Sequence, residues 1–171
     1  MSKAKGMSLA TLMLEQLGVA RRIVENGHEL VPTWRIETPE GTFLISTPFH
    51  ANNPDQREGP LFMVTRFMAW KLATSFVLTT ETWLGAELIQ ASDEALFTIG
   101  ISQHERLAVL QRMKRDGAVS FSQPMWLAAH HIDGCYLKML PGKRAEATAE
   151  EAAALERVFG KNGELPAERL S

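Results

Sequence analysis

Two short segments of alternating apolar and polar residues restrict the fold of this 171-residue chain more than any other feature. They cover residues 30–37 and 42–47. The intervening Thr-Pro-Glu-Gly at 38–41 suits a four-residue loop built on a type I turn. Alternation with a period of two residues is typical of a strand that buries one face. We therefore predict an antiparallel hairpin here.

The loop length also predicts the register of this hairpin. Trp34 is set opposite Ile45 and Ile36 opposite Phe43, so that the four large apolar side chains share one face. If the pairing were shifted by one residue, apolar side chains would lie beside polar ones on the same face. The predicted pairing avoids this mismatch. Because Pro32 has no N–H to donate to a neighbouring strand, we expect the first strand to lie at a sheet edge.

Helices are predicted at both ends of the chain. Ser8 can cap a helix that runs to about Asn26, where Gly27 provides a left-handed stop. Near the other end, Thr148 begins a capping box with the glutamate three residues later, and a short helix follows over 149–159.

Residues 61–73 form a segment that is apolar on nearly every side of a helix. Pro60 suits its first position, because the missing N–H of proline has no partner there in any helix. A helix that is apolar all round has to be buried, either centrally or under a partner subunit.

The second half of the predicted sheet is a meander of about four strands. Residues 75–83 and 95–102 have strand composition. Residues 105–115 contain good helix formers, yet on a helical wheel their apolar and charged residues interleave, whereas on a strand they separate onto two faces. Because periodicity outweighs propensity here, we predict a strand.

A three-residue loop at 115–117 would close the next hairpin, with its glycine in the left-handed position. This loop pairs Met113 with Val119 and Gln111 with Phe121. The prediction is an α+β fold: a mainly antiparallel sheet, made of the N-terminal hairpin plus a four-strand meander, packed on a buried apolar helix, with N- and C-terminal helices. We expect a single domain over 1–171, with frayed tails at 1–7 and 161–171.

Composition limits the classes of partner. The chain is 45% hydrophobic, enough for a core, and its formal net charge is −2. With charges of both signs mixed, it has no large electrostatic field to attract nucleic acid or a membrane surface. No segment has the roughly 20 apolar residues of a bilayer span. Cys135 is the single cysteine, which fits a reducing, cytoplasmic location.

Glu81 is the candidate catalytic residue. Strand alternation puts it on one face with Val77, Thr79 and Trp83. A carboxylate that is desolvated beside an indole suits a general acid or base. The alternative interpretation leaves Glu81 on a solvent face, with Phe76 on the core side.

Candidate metal ligands cluster in a second region. His130, His131 and Asp133 form the densest run of ligand-type side chains, with Cys135 two residues beyond the aspartate. His131 and Asp133 would project together from a strand, and a metal site would need further ligands, such as His50. The alternative is a polar connection whose histidines contact water or backbone.

Two functional hypotheses follow. The chain has no Gly-x-Ser-x-Gly sequence and no glycine-rich phosphate loop. The first hypothesis is therefore a non-enzymatic binding or assembly module that acts as a homodimer, without a cofactor and with an unknown small-molecule ligand. The second is a small hydrolase assisted by a divalent metal, which would use Glu81 with His50, His130 or His131.

Overall fold

The computed structural model describes residues 7–48, 54–83, 94–132, 134–141 and 147–170. Its helices are α1 (Leu9–Glu25), α2 (Pro54–Lys71), α3 (Gly134–Leu137) and α4 (Ala149–Phe159). Its strands are β1 (Thr33–Thr38), β2 (Gly41–Ser46), β3 (Ser75–Trp83), β4 (Glu94–Ser102), β5 (Arg106–Asp116), β6 (Ala118–Phe121), β7 (Met125–Leu127) and β8 (Glu168–Leu170). The strands form one antiparallel sheet in the order β6-β5-β4-β3-β1-β2-β8, with β7 also pairing β5. The predicted α+β fold is confirmed.

The N-terminal hairpin has the predicted register, including both predicted cross-strand pairs. The prediction that its first strand is an edge is wrong, because β1 lies between β2 and β3. Pro32 precedes the strand, and the ladder to β3 begins at Thr33. The carbonyl of Pro32 still accepts a hydrogen bond of 2.9 Å from the N–H of Thr47, so the proline does not interrupt the hydrogen bonding between the two strands of the hairpin.

Helix α1 begins and ends as predicted. The hydroxyl of Ser8 accepts from the N–H of Thr11 at 3.2 Å, and Gly27 follows the helix with a φ of 79°. The helix packs mainly against β4 and β3 on one face of the sheet. Its apolar stripe faces the strands, and the buried members are Leu9, Leu12, Met13, Leu17, Ala20 and Val24.

Strands β3 to β6 form the predicted meander, and the disputed segment is strand β5. The predicted register of the β5–β6 hairpin is wrong by two residues, since Met113 pairs with Phe121. The last pair is Asp116 with Ala118, which leaves Gly117 alone in the turn with a φ of 80°. A turn tighter than the predicted loop therefore moves the pairing without changing which face each side chain occupies.

Helix α2 begins at Pro54, so the prediction that Pro60 occupies its first position is wrong. The three residues before Gly59 are good helix formers. Because Gly59 has no Cβ, it reduces the steric conflict with the proline ring that normally disfavours a helical conformation just before proline. Leu61, Val64, Phe67 and Met68 enter the core, whereas Phe62 is 63% exposed. The helix is thus buried on one side only in a single chain.

The sheet carries an apolar core on each face. On one face α1 covers side chains from strands β3 to β6, including Val77, Leu96 and Val109. On the other face α2 and α4 cover Trp34 and Phe76 among others. The described helices include none that is long and apolar enough to cross a membrane.

The C-terminal region continues past α4. The hydroxyl of Thr148 accepts from the N–H of Glu151 at 3.1 Å, which confirms the predicted cap. The expected frayed tail is wrong for its final described residues, because β8 pairs with β2. Leu165, which is 9% exposed, anchors the intervening segment to the core.

Candidate ligand-binding groove

Glu81 shares the α1 side of the sheet with Val77 and Thr79, as the alternation predicts. Its side chain is 25% exposed and accepts a bond of 2.8 Å from Nη2 of Arg115. The side chain of Trp83 is outside those described. The neighbour that dominates this carboxylate is therefore a guanidinium, rather than the apolar surroundings that the general acid–base interpretation required.

Arg115 connects Glu81 with a second carboxylate. Its Nε donates to Oε2 of Glu94 at 2.7 Å, and the guanidinium is 43% exposed. The pKa of Arg115 is raised, first by the hydrogen bond to Glu94 and further by the bond and charge of Glu81. This arrangement cross-links β3, β4 and β5 through an ion pair network, and both carboxylates are already engaged by Arg115.

The histidine-rich segment does not form the strand that its metal-site interpretation assumed. Residues Ala129–His131 form a 3₁₀ turn, and α3 follows at Gly134. The alternation that would have aligned His131, Asp133 and Cys135 is therefore wrong. His130 and Cys135 are exposed.

The metal hypothesis itself stays a prediction. His50 and Asp133 lie outside the described residues, as does the side chain of His131. Among the residues that are described, no three His, Cys, Asp or Glu side chains group closely enough to hold a metal ion.

A groove of about 440 Å³ runs beside α1, where the helix leaves part of its face of the sheet uncovered. One wall comes from the middle and the C-terminal part of the helix, through Glu15, Gln16, Val19, Ala20, Arg22 and Ile23. The floor and the opposite wall come from the sheet and from the residue that leads into it, through Leu30, Thr33, Arg35, Leu44, Thr79 and Leu170. We call this space the α1 groove.

The lining of the α1 groove is amphipathic. Ala20 and Leu30 are buried in its depth, whereas Val19 is 40% exposed at its rim. Thr79 is also buried, and its hydroxyl is paired with that of Thr98 at 3.0 Å. Most of the surface offered to a ligand is consequently apolar, and the available charge is concentrated at few positions.

Arg35 is the charged side chain on the floor of the α1 groove, and it is 16% exposed. Its Nε donates to Oε1 of Glu37 at 3.1 Å, within the same strand. Its Nη1 donates to Oε2 of Glu15 on α1 at 3.3 Å. Thr42 donates to the second oxygen of Glu37 at 2.6 Å, which fixes that carboxylate. Arg35 is thereby held in one orientation with one edge towards the helix.

Arg35 is not among the site residues that the sequence predicts. The signal that could have identified it is its position between Trp34 and Ile36, which puts a charge on the strand face opposite the hairpin's apolar face. That α1 lies over this face, and that Glu15 reaches Arg35 across 20 residues of sequence, depends on tertiary packing.

Comparisons of the chain with protein-family models, curated proteins and solved structures give no significant match. The α1 groove and the Glu81 network are therefore the features of the molecule that bear on its function.

Proposed function

We propose that this protein is a non-enzymatic binding module that holds a small amphipathic molecule in the α1 groove. The observation that carries this proposal is an oriented, largely buried guanidinium, that of Arg35, on the floor of an otherwise mainly apolar groove. Ligand sites in proteins commonly combine an apolar lining with a few fixed polar groups that orient the ligand.

The size of the groove supports this proposal. Its volume of about 440 Å³ falls within the range of roughly 300–1,000 Å³ that is usual for small-molecule sites. The groove is bounded by a helix and by paired strands, and elements of this kind hold side chains in place more rigidly than loops do.

The environment of Glu81 favours binding over catalysis. A general acid or base has to exchange a proton with a substrate, whereas the Glu81 carboxylate is engaged by Arg115. The described part of the α1 groove contains two threonines, but no histidine or cysteine lines it. The set of groups around the groove is therefore better suited to holding a molecule than to transforming it.

A neutral dye tests the proposal without involving charge. We expect Nile red to gain fluorescence on binding, and Val19→Ser to weaken that binding about threefold to tenfold through lost apolar contact. Val31 is the matched control, since it is 39% exposed against 40% for Val19 but lies outside the groove lining. We expect Val31→Ser to bind the dye as the parent does. Equal affinity in all three proteins would contradict the proposal.

A further inference from the structure

We propose that the α1 groove takes a medium-chain fatty carboxylate, whose headgroup replaces Glu15 on Arg35. This inference rests on the proposed function, because it names the chemistry of the ligand for the same groove. Its basis is the unequal attachment of the two carboxylates that Arg35 holds.

Glu37 is the fixed partner of Arg35. The two residues lie on the same strand, the Glu37 side chain is 28% exposed, and Thr42 binds its other carboxylate oxygen. Removing Glu37 from the guanidinium would break the bond to Arg35 and disturb the one from the Thr42 hydroxyl. We therefore expect this side of Arg35 to stay as it is when a ligand binds.

Glu15 is the exchangeable partner. Its side chain is 52% exposed, and its bond to Arg35 is 3.3 Å long. Bonds between charged nitrogen and carboxylate oxygen are normally about 2.7–2.9 Å. The bond to Glu15 exceeds this range by more than the 3.1 Å bond to Glu37 does, so it is the looser of the two. An exposed carboxylate also recovers its hydration when it turns into water, which makes its release inexpensive.

A carboxylate ligand preserves the charge balance when it replaces Glu15. Arg35 would again have one carboxylate on each side, with Glu37 unchanged. Arg22 supplies a second cation in the lining, whereas Glu15 is the lining's one acidic residue among those described. A cationic headgroup would meet two arginines, and a neutral one would not replace the negative charge that Arg35 loses with Glu15.

The alkyl chain has an apolar path beyond this headgroup position. Val19 and Ile23 line the helical wall, and Leu44 and Leu170 line the sheet side. These side chains are aliphatic, so they contact a flexible hydrocarbon without requiring hydrogen bonds. The combination of a guanidinium and aliphatic walls distinguishes a fatty carboxylate from a purely polar anion.

Calorimetric titration with octanoate and with octanol tests the inference. We expect Glu15→Gln to bind octanoate about threefold to tenfold more tightly, because the competing charge is removed. We expect Arg35→Gln to bind it about tenfold to hundredfold more weakly, since a charge-assisted pair is lost. Octanol should bind all three proteins alike.

Further variants separate the headgroup contact from folding effects. Glu25→Gln removes an exposed carboxylate elsewhere on α1 and should leave octanoate affinity unchanged. Arg35→Lys keeps the charge but loses the planar fork, so its affinity should lie between those of the parent and Arg35→Gln. If octanol binds but the affinity for octanoate is unchanged by substitution of Glu15 and of Arg35, the carboxylate inference is wrong. Binding of a ligand in the groove would still be supported. If neither octanol nor Nile red binds, the proposed function itself fails.

Discussion

Gly100 marks the closest approach of α1 to the sheet. A Cβ at this position of β4 would lie 2.5 Å from Sδ and 2.9 Å from Cγ of Met13, and 3.1 Å from Cγ of Leu9. Met13 is fully buried, so its side chain has little free space into which to move. The absence of a side chain at Gly100 is thus what lets the helix rest on the strand.

We expect Gly100→Ala to destabilise the protein by about 1–3 kcal/mol, because the added methyl group overpacks this contact. Gly18 is the matched control: it lies within α1, and a Cβ there would meet nothing within 4 Å. Gly18→Ala should stabilise the protein by about 0.5–1 kcal/mol through its higher helix propensity. Urea unfolding of both variants measures the two changes. Equal effects of the same sign would show that Gly100 is not a packing constraint.

Strand β5 illustrates how periodicity decides between a helix and a strand. Its residues favour helix by propensity, yet Leu107 and Val109 contribute to the core under α1, whereas Arg106 and Arg112 are exposed. Burial against neighbouring strands outweighs a propensity difference of a few tenths of a kcal/mol per residue. The register between β5 and β6 depends on the length of the turn that joins them, and the composition of the sequence did not determine that length.

The ion pair network at the end of β5 yields a prediction about stability and pH. Because Arg115 is 43% exposed, we expect Arg115→Gln to cost about 0.2–1 kcal/mol. Its pKa is raised in the folded state. The associated stability is therefore present below the unfolded-state pKa and is lost only as the pH rises through the folded-state pKa. The cost should be constant across the neutral range.

Urea unfolding at several neutral pH values and salt concentrations checks this expectation. Salt should reduce the cost of Arg115→Gln, since exposed charges are screened. Arg106, an exposed arginine on the same strand, provides the control, and Arg106→Gln should change stability little. A cost that varies strongly between neutral pH values would contradict the assignment.

The two faces of the sheet are covered by different helices. Helix α1 covers part of one face and leaves the α1 groove beside it, whereas α2 and α4 share the other face. Phe62, on the solvent side of α2, remains 63% exposed. The prediction of self-association comes from this exposed aromatic, which lies in the segment 61–73 whose sequence is apolar on nearly every side of the helix.

We expect the protein to form a homodimer in which a second copy covers Phe62. Sedimentation velocity at micromolar concentration should then detect a dimer for the parent and a monomer for Phe62→Ser. Leu14, which is 44% exposed on α1, is the control, and Leu14→Ser should leave the dimer intact. A parent protein that sediments only as a monomer would rule out this assembly.

Local sequence patterns predicted several of the elements and the faces that those elements bury. Helix caps, turn residues and periods of two or 3.6 residues are local properties, so the α1 and α4 boundaries, the first hairpin register and the strand character of β5 were predictable. The order of the strands and the side-chain contacts between distant segments came from the packing of the folded chain. The position of β1, the pairing of β8, the partner of Glu81 and the contact between Glu15 and Arg35 all join residues far apart in sequence. Such contacts depend on how whole elements pack, and no local pattern of side chains encodes that arrangement.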